Sequence, residues 1–153
     1  NLVVYNTGIS SDILMRIKKT SIGTKKYILV CYGDTLIDID IDKLIKFYLK
    51  NKNKMIMSSY QLNSDFGILA INKNNLITKF EEKPKLDIWF NVGYILFSSN
   101  KFEYFNKFKT FKDMLTISAK KKIMKTFKHY GKHITINTLT ELDKAKQLIK
   151  KFN

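Results

Sequence analysis

Three short runs in this sequence combine reactive residue types with spacing that would expose them. Tyr32-Gly33-Asp34 closes the apolar run Tyr27–Tyr32, YILVCY. Ligands of open α/β sheets bind beyond the carboxyl ends of the strands. A glycine there allows close backbone approach, and a carboxylate there can hold Mg²⁺ against a phosphate. The alternative for Gly33-Asp34 is an ordinary turn. Phe80-Glu81-Glu82-Lys83-Pro84 places acid beside base before a proline that fixes the exit. A glutamate accepts hydrogen bonds from sugar hydroxyls, and a lysine ammonium holds phosphate as a point charge. The alternative is an exposed charged loop. Trp89-Phe90-Asn91-Val92-Gly93 sets one amide among apolar residues. Asn91 can donate to and accept from sugar hydroxyls, or it is a structural amide where a strand begins.

These runs need elements to hold them. Tyr27–Tyr32 reads as a buried strand, because it is continuously apolar and stops at Gly33-Asp34. Leu44, Ile45, Tyr48 and Leu49 have helical spacing over Asp42–Lys50, with Asp40 or Asp42 as the cap. Leu2–Tyr5, Met55–Tyr60, Gly93–Phe97, Ile123–His129 and Ile134–Ile136 read as strands. Phe66–Ile71 and Leu76–Phe80 flank Asn72-Lys73-Asn74-Asn75 as a hairpin. Asn100–Phe105, Lys112–Lys121 and Thr138–Lys151 read as helices. Alternating strands and helices predict an α/β, Rossmann-like three-layer fold with a mixed, mostly parallel sheet covered on both faces. Residues 1–153 are expected to form a single domain.

Composition narrows the function. The chain is 44% hydrophobic and 13% aromatic, which fits a packed core. No apolar run approaches the roughly 20 residues that span a bilayer, and no charged-then-apolar leader is present, so no membrane association is expected. The lone Cys31 cannot form an internal disulfide and fits a reducing cytoplasm; inside an apolar strand it is expected in the core. The net charge of +15 invites nucleic acid. Yet Arg16 is the only arginine, and the lysines are spread along the chain. Base and phosphate readers lean on arginine's planar fork, so no nucleic-acid partner is expected. His129 and His133 bracket a turn around Gly131 without zinc spacing. Phe102, Tyr104, Phe105, Phe108 and Phe111 are expected to pack in the core or at a subunit contact.

The order of the motifs resembles the bacterial sugar-1-phosphate nucleotidylyltransferase family. Tyr32-Gly33-Asp34, Phe66-Gly67, Phe80-Glu81-Glu82-Lys83-Pro84 and Trp89-Phe90-Asn91-Val92-Gly93 follow one another as that family's Y-G-D, F-G, F-x-E-K-P and W-x-N-x-G do. Asp38-Ile39-Asp40-Ile41, Asn6-Thr7-Gly8 with Arg16, and Asn137-Thr138-Leu139 are similar to the glucose-1-phosphate cytidylyltransferase group. The resemblance implies Mg²⁺-dependent attack of a sugar 1-phosphate, glucose 1-phosphate above others, on a nucleoside triphosphate, CTP above others. Nucleotide-sugar for surface polysaccharide synthesis and pyrophosphate would result. It implies Asp34 and Lys83 as catalytic residues, with Asp34 and Asn137 on the metal. Gly67, Glu82, Lys83, Asn91 and Gly93 would hold the sugar phosphate, and Ser11, Arg16 and Gly33 the nucleotide. Homo-oligomerisation is open.

The sequence departs from that pattern in three places. The family's glycine-rich L-x-G-G-x-G-T-R loop does not occur in it, so the chain is expected to be the C-terminal two-thirds of the domain. The first strands, on the order of 100 residues, would lie upstream, and the chain alone is expected to be inactive. Ile13-Leu14-Met15-Arg16 stands where the cytidylyltransferase group has T-G-G-R, and Asn137 where it has a second metal-binding aspartate. An amide oxygen ligates Mg²⁺ more weakly than a carboxylate. A non-catalytic remnant that binds a sugar phosphate or nucleotide is the alternative function.

Overall fold

A computed structural model describes residues 2–20, 26–51 and 54–149. In chain order its elements are α1 (Ile13–Thr20), β1 (Tyr27–Cys31), β2 (Thr35–Ile37), α2 (Ile41–Lys50), β3 (Met55–Asn63), β4 (Ile68–Ile71) and β5 (Ile77–Glu81). There follow β6 (Lys85–Ser98), α3 (Phe102–Phe105), α4 (Phe111–Lys120), β7 (Met124–His129), β8 (His133–Thr135) and α5 (Leu139–Leu148). The main sheet has the order β1-β6-β3-β7. β2 with β8 and β4 with β5 form separate two-stranded ribbons.

Successive strand residues point to opposite faces, and both faces of this sheet are covered. On one face Ile28, Met55, Ile95 and Phe97 pack with Leu14 and Ile17 of α1, Phe105 of α3, and Phe111 and Met114 of α4. On the other, Ile56 and Leu96 pack with Leu44 and Tyr48 of α2. This is the expected helix–sheet–helix layering. The expected aromatic cluster is core: Phe105 and Phe111 are buried, with Phe102, Tyr104 and Phe108 packed against them.

The α/β class and the mixed sheet hold, but the balance of strand pairing is the reverse of the expected mostly parallel one. β6 pairs antiparallel with β1 and with β3, while β3 and β7 pair parallel. β1, β3 and β7 run one way, and β6 runs against them between β1 and β3. The sequence reading took only Gly93–Phe97 of this strand, because its first half, Lys85–Val92, is interrupted by polar residues and stands partly exposed.

Other differences have local causes. Leu2–Tyr5 forms no strand; Leu2 and Val4 are exposed and pair with nothing regular. Ile13–Thr20 forms a helix that the expected elements lacked, anchored by buried Leu14 and Ile17. Cys31 is exposed at the carboxyl end of β1 rather than in the core, although its thiol is sheltered enough for burial to push its pKa up. Asp40 caps α2 by accepting from the Lys43 N–H at 2.9 Å. The expected last helix stops within the described residues at Leu148, and Lys151 lies outside them. Among the described residues no helix is long and apolar enough to cross a membrane.

Candidate active site

The site grows from the carboxyl end of β1. The Tyr32 N–H donates to the Gly93 carbonyl at 3.0 Å, so β1 stays tied to β6 one residue past its end. β6 bulges here: Met57 pairs with Ile95 but Ser59 pairs with Asn91. Gly93 makes the bulge possible with φ of 76°, a region that costs other residues about 1–2 kcal/mol. A Cβ at Gly93 would also lie 2.5 Å from Cγ of Tyr32. Asn91 braces the bulge: its Oδ1 accepts from the Gly93 N–H at 2.8 Å, and its Nδ2 lies 3.4 Å from the Tyr32 hydroxyl. One of its amide acceptor positions is therefore spent inside the protein. Burial pushes the Tyr32 pKa up, the hydrogen bond from Asn91 opposes it, and the nearby Asp34 charge adds a lesser upward push. The hydroxyl stays protonated and able to donate.

The β2–β8 ribbon brings the backbones of Asp34 and Asn137 near one another. Thr35, Leu36 and Ile37 face Thr135, Ile134 and His133. Just beyond, the Ile136 N–H donates to the Asp34 carbonyl at 2.8 Å, which puts Asn137 one residue from the partner of Asp34. Asn137 is held from the other side by α5. The Glu141 carboxylate accepts from the N–H groups of Asn137 at 2.7 Å and Thr138 at 2.9 Å, while Thr138 caps Glu141 in return. These hydrogen bonds, that of Asn137 first, hold the Glu141 carboxyl below its ordinary pKa. The Asp34 carboxylate accepts from the Thr35 hydroxyl at 3.2 Å and keeps further lone pairs.

This donor set fits Mg²⁺. A carboxylate and an amide are hard oxygen ligands, and Mg²⁺ is usually bound by one or two carboxylates with water and substrate phosphate completing its shell. Among the described residues there is no group of three or more His, Cys, Asp and Glu side chains suited to a metal.

Ser11 and Arg16 form a second unit. Arg16 Nε donates to the Ser11 carbonyl at 3.0 Å and lies 3.1 Å from its hydroxyl, leaving the terminal guanidinium nitrogens for a ligand. Arg16, Gly33 and Asp34 line one cavity of about 600 Å³ between α1 and β1. A Cβ on Gly33 would meet nothing within 4 Å, so its surroundings are open. The departure at Ile13-Leu14-Met15-Arg16 has a structural cause: these residues are the first turn of α1, and buried Leu14 anchors it.

The third unit is the base of the β4–β5 hairpin. A Cβ on Gly67 would lie 2.7 Å from the Phe80 ring and 3.1 Å from Oε2 of Glu82, so Gly67 and Glu82 abut. Lys83 turns the chain into Pro84 with φ of 44°. Strained non-glycine backbone of this kind persists where its surroundings enforce it, often at ligand sites. No hydrogen bond or ion pair among the described residues joins Gly67, Glu82 or Lys83 to Tyr32–Asp34.

Sequence reasoning missed two acidic residues that set this geometry. Asp12 Oδ1 accepts from Leu14 N–H at 2.8 Å and from Phe111 N–H at 2.9 Å, capping α1 and tying it to the start of α4. An aspartate just before an apolar helical run was the readable signal. Asp38 pairs with buried His129 at 2.9 Å, and no spacing rule links residues so far apart.

Comparison with known proteins identifies the family. The family model described as Nucleotidyl transferase matches residues 13–140. A glucose-1-phosphate adenylyltransferase of Mycoplasma mobile is 41% identical over 64 residues, 39% of this chain and 17% of the relative. One from Bacillus subtilis is 28% identical over 87 residues, 54% of this chain and 23% of the relative. A solved structure from Bacillus anthracis, described as a glucose-1-phosphate thymidylyltransferase in complex with sucrose, superposes with a TM-score of 0.62 at 19% identity. It covers 90% of this chain and 59% of that one. The matched segments thus span less than a quarter of these curated relatives and under two thirds of the solved chain. With the model matching most of its length, the chain belongs to the nucleotidyl transferase family.

Proposed function

We propose that this chain carries the sugar-phosphate and metal-binding part of a sugar-1-phosphate nucleotidylyltransferase. The observation that supports it most is the meeting of three separate segments, Tyr32–Asp34, Asn91–Gly93 and Ile136–Asn137, at the carboxyl end of β1. In the reaction a phosphate oxygen of the sugar 1-phosphate forms a bond to the α-phosphorus of a nucleoside triphosphate. The bond from that phosphorus to the bridging oxygen breaks, and pyrophosphate leaves with the electron pair. Such chemistry rests on positioning and charge neutralisation.

Asp34 and Asn137 would hold Mg²⁺, which when bound supplies charge neutralisation to the phosphates. Arg16, braced by Ser11, and the open backbone at Gly33 would take the nucleotide phosphates. Lys83 would hold the sugar phosphate, and Glu82, Asn91 and the backbone at Gly67 the sugar hydroxyls. Gly93 serves them by allowing the bulge that places Asn91. Glucose 1-phosphate is the favoured acceptor. The motif resemblance favours CTP as donor and surface polysaccharide as the product's use, whereas the named relatives are adenylyl and thymidylyl transferases. Asn137 also favours a second reading, binding without turnover, because it removes a charge from the metal site.

Pyrophosphate release by the intact protein, with glucose 1-phosphate and CTP, ATP or dTTP in turn, separates these readings. Release with one nucleotide and a fall of at least ~100-fold in Asp34→Asn, as for loss of a transition-state charge partner, supports the enzyme. Binding of sugar phosphate without release supports the second reading. Release that survives Asp34→Asn within a few-fold removes Asp34 from the metal.

A further inference from the structure

Asp34 and Asn137 sit at one end of the β2–β8 ribbon; the other end is fastened to the main sheet through one imidazole. His129 ends β7 and is only 7% exposed. Its Nε2 lies 2.9 Å from Asp38 Oδ1 and 3.1 Å from the Lys132 carbonyl oxygen. Both neighbours are acceptors, so Nε2 carries the proton and donates to both. Asp38 is the residue after β2, and Lys132 the residue before β8. The same Asp38 Oδ1 accepts from the Lys132 N–H at 2.6 Å, and the Lys132 carbonyl accepts from the Asp38 N–H at 3.3 Å. One N–H therefore ties both ribbon strands to β7 at matching positions.

The contacts beside it leave little slack. His133 of β8 stacks on Tyr60 of β3, with ring centroids 5.0 Å apart, and meets the edge of Phe90 of β6 at 5.3 Å. Gly131, in the turn between β7 and β8, has no room for a Cβ: Asp38 Oδ1 and His129 Cε1 fill that space. A ribbon of only three paired residues has little register of its own. A slip of one residue would turn every side chain over, Asp34 and Asn137 with them.

We propose that His129, through Asp38, is a positioning residue that sets the register of the β2–β8 ribbon and so the mutual placement of Asp34 and Asn137. Its importance to catalysis rests on the metal assignment made above; its effect on the ribbon does not. Outer partners of metal ligands commonly change affinity by about 10–100-fold when lost.

The test uses the intact protein with His129→Leu, His129→Gln and Asp38→Ala, the last removing a part-exposed side chain should His129→Leu fail to fold. Two quantities are read: amide exchange at Ile136 against Ile56 in β3, and Mn²⁺ binding followed by water-proton relaxation, with Asp34→Asn as control. His129→Leu and Asp38→Ala should speed exchange at Ile136 by ~10-fold or more with Ile56 unchanged, and weaken Mn²⁺ about 10-fold. His129→Gln, which keeps an N–H at a similar reach, should restore both to within about 3-fold. Unchanged exchange at Ile136 in the variants overturns the proposal. So does faster exchange with undiminished Mn²⁺ affinity while Asp34→Asn loses it, since the pair would then be structural only. If Asp34→Asn itself leaves Mn²⁺ binding intact, the metal assignment fails, and exchange at Ile136 alone decides the positioning role.

Discussion

Gly33 and Gly93 lie on either side of the candidate site, and alanine at each should fail in opposite ways. At Gly93 the backbone φ is 76°, which costs an alanine about 1–2 kcal/mol. Its methyl would also fall 2.5–2.7 Å from three atoms of Tyr32, well inside ordinary contact. Tyr32 must move away, at an overpacking cost of about 1–3 kcal/mol. That movement strains the hydrogen bond from Tyr32 N–H to the Gly93 carbonyl. We expect Gly93→Ala to lose roughly 2–5 kcal/mol in urea unfolding. At Gly33 nothing lies within 4 Å of a new methyl, so stability should stay within about 0.5 kcal/mol. On the proposed function the same methyl stands where a nucleotide phosphate would approach the backbone, so nucleotide affinity measured by calorimetry should fall about 10-fold, roughly 1.4 kcal/mol. Gly93→Ala with wild-type stability would refute the steric argument. Gly33→Ala with wild-type nucleotide affinity would refute the claim that the ligand uses the open side of this corner.

Four further outcomes follow from the packing and the titrating groups. Asp12→Ala leaves the first turn of α1 uncapped and the Phe111 N–H without its acceptor; a loss of about 2 kcal/mol is expected, with Asp12→Asn much milder. Phe105 is 1% exposed and meets Phe97 at 4.8 Å, so Phe105→Ala should cost about 3–5 kcal/mol in the same assay. The Glu141 carboxyl has its pKa lowered by folding from an ordinary 4.5. Its stabilisation is complete above that value and is lost as pH falls through the folded pKa, so Glu141→Gln should flatten the acid limb of stability against pH. His133 has its pKa lowered from 6.5, first by burial and then by His129. The unfolded chain takes up a proton that the fold refuses, so stability declines as pH drops below about 6.5 until the folded pKa is reached. His133→Phe should remove that slope in thermal melts across pH 5–8, and an unchanged slope would locate its source elsewhere.

Segments that bury a periodic apolar face were legible in the sequence. Tyr27–Cys31, the helix capped by Asp40 and the Phe111–Lys120 helix all came out near their observed bounds, because pattern and packing agree there. The ribbon strand β2 was invisible, since Thr35–Ile37 is too short to show a period and exists through its pairing with β8. The first half of β6 was hidden for a related reason: its side chains are mostly exposed or half-buried, and backbone pairing with β3 makes it a strand. Cys31 misled because continuous apolarity implies burial of both faces, whereas Cys31 is the last residue of β1, an edge strand of the described sheet, and stands exposed there. Of the candidate site, the motif residues were legible and the contacts that support them were not. Asp34, Asn91 and Lys83 stand out by type and motif. Asp38 and His129 act through a contact that only the fold creates.

The proposed site draws on motifs far apart in sequence, and the antiparallel placement of β6 bears on where two of them lie. Lys85 pairs with Asn63 at the end of β3, and Ser98 pairs with Tyr27 at the start of β1. The beginning of β6 therefore lies beside the carboxyl end of β3, while β1 ends beside Tyr94 in the middle of β6. Whatever immediately precedes β6 is delivered to the end of the sheet where ligands bind in α/β folds, and what precedes it is Glu82-Lys83-Pro84. The bulge at Gly93 then lets the same strand present Asn91 beside Tyr32 before it continues into the core. A strand parallel to β1 would carry its first residues to the opposite end of the sheet, away from Asp34. The antiparallel direction of β6 is thus what carries Asn91 to Tyr32.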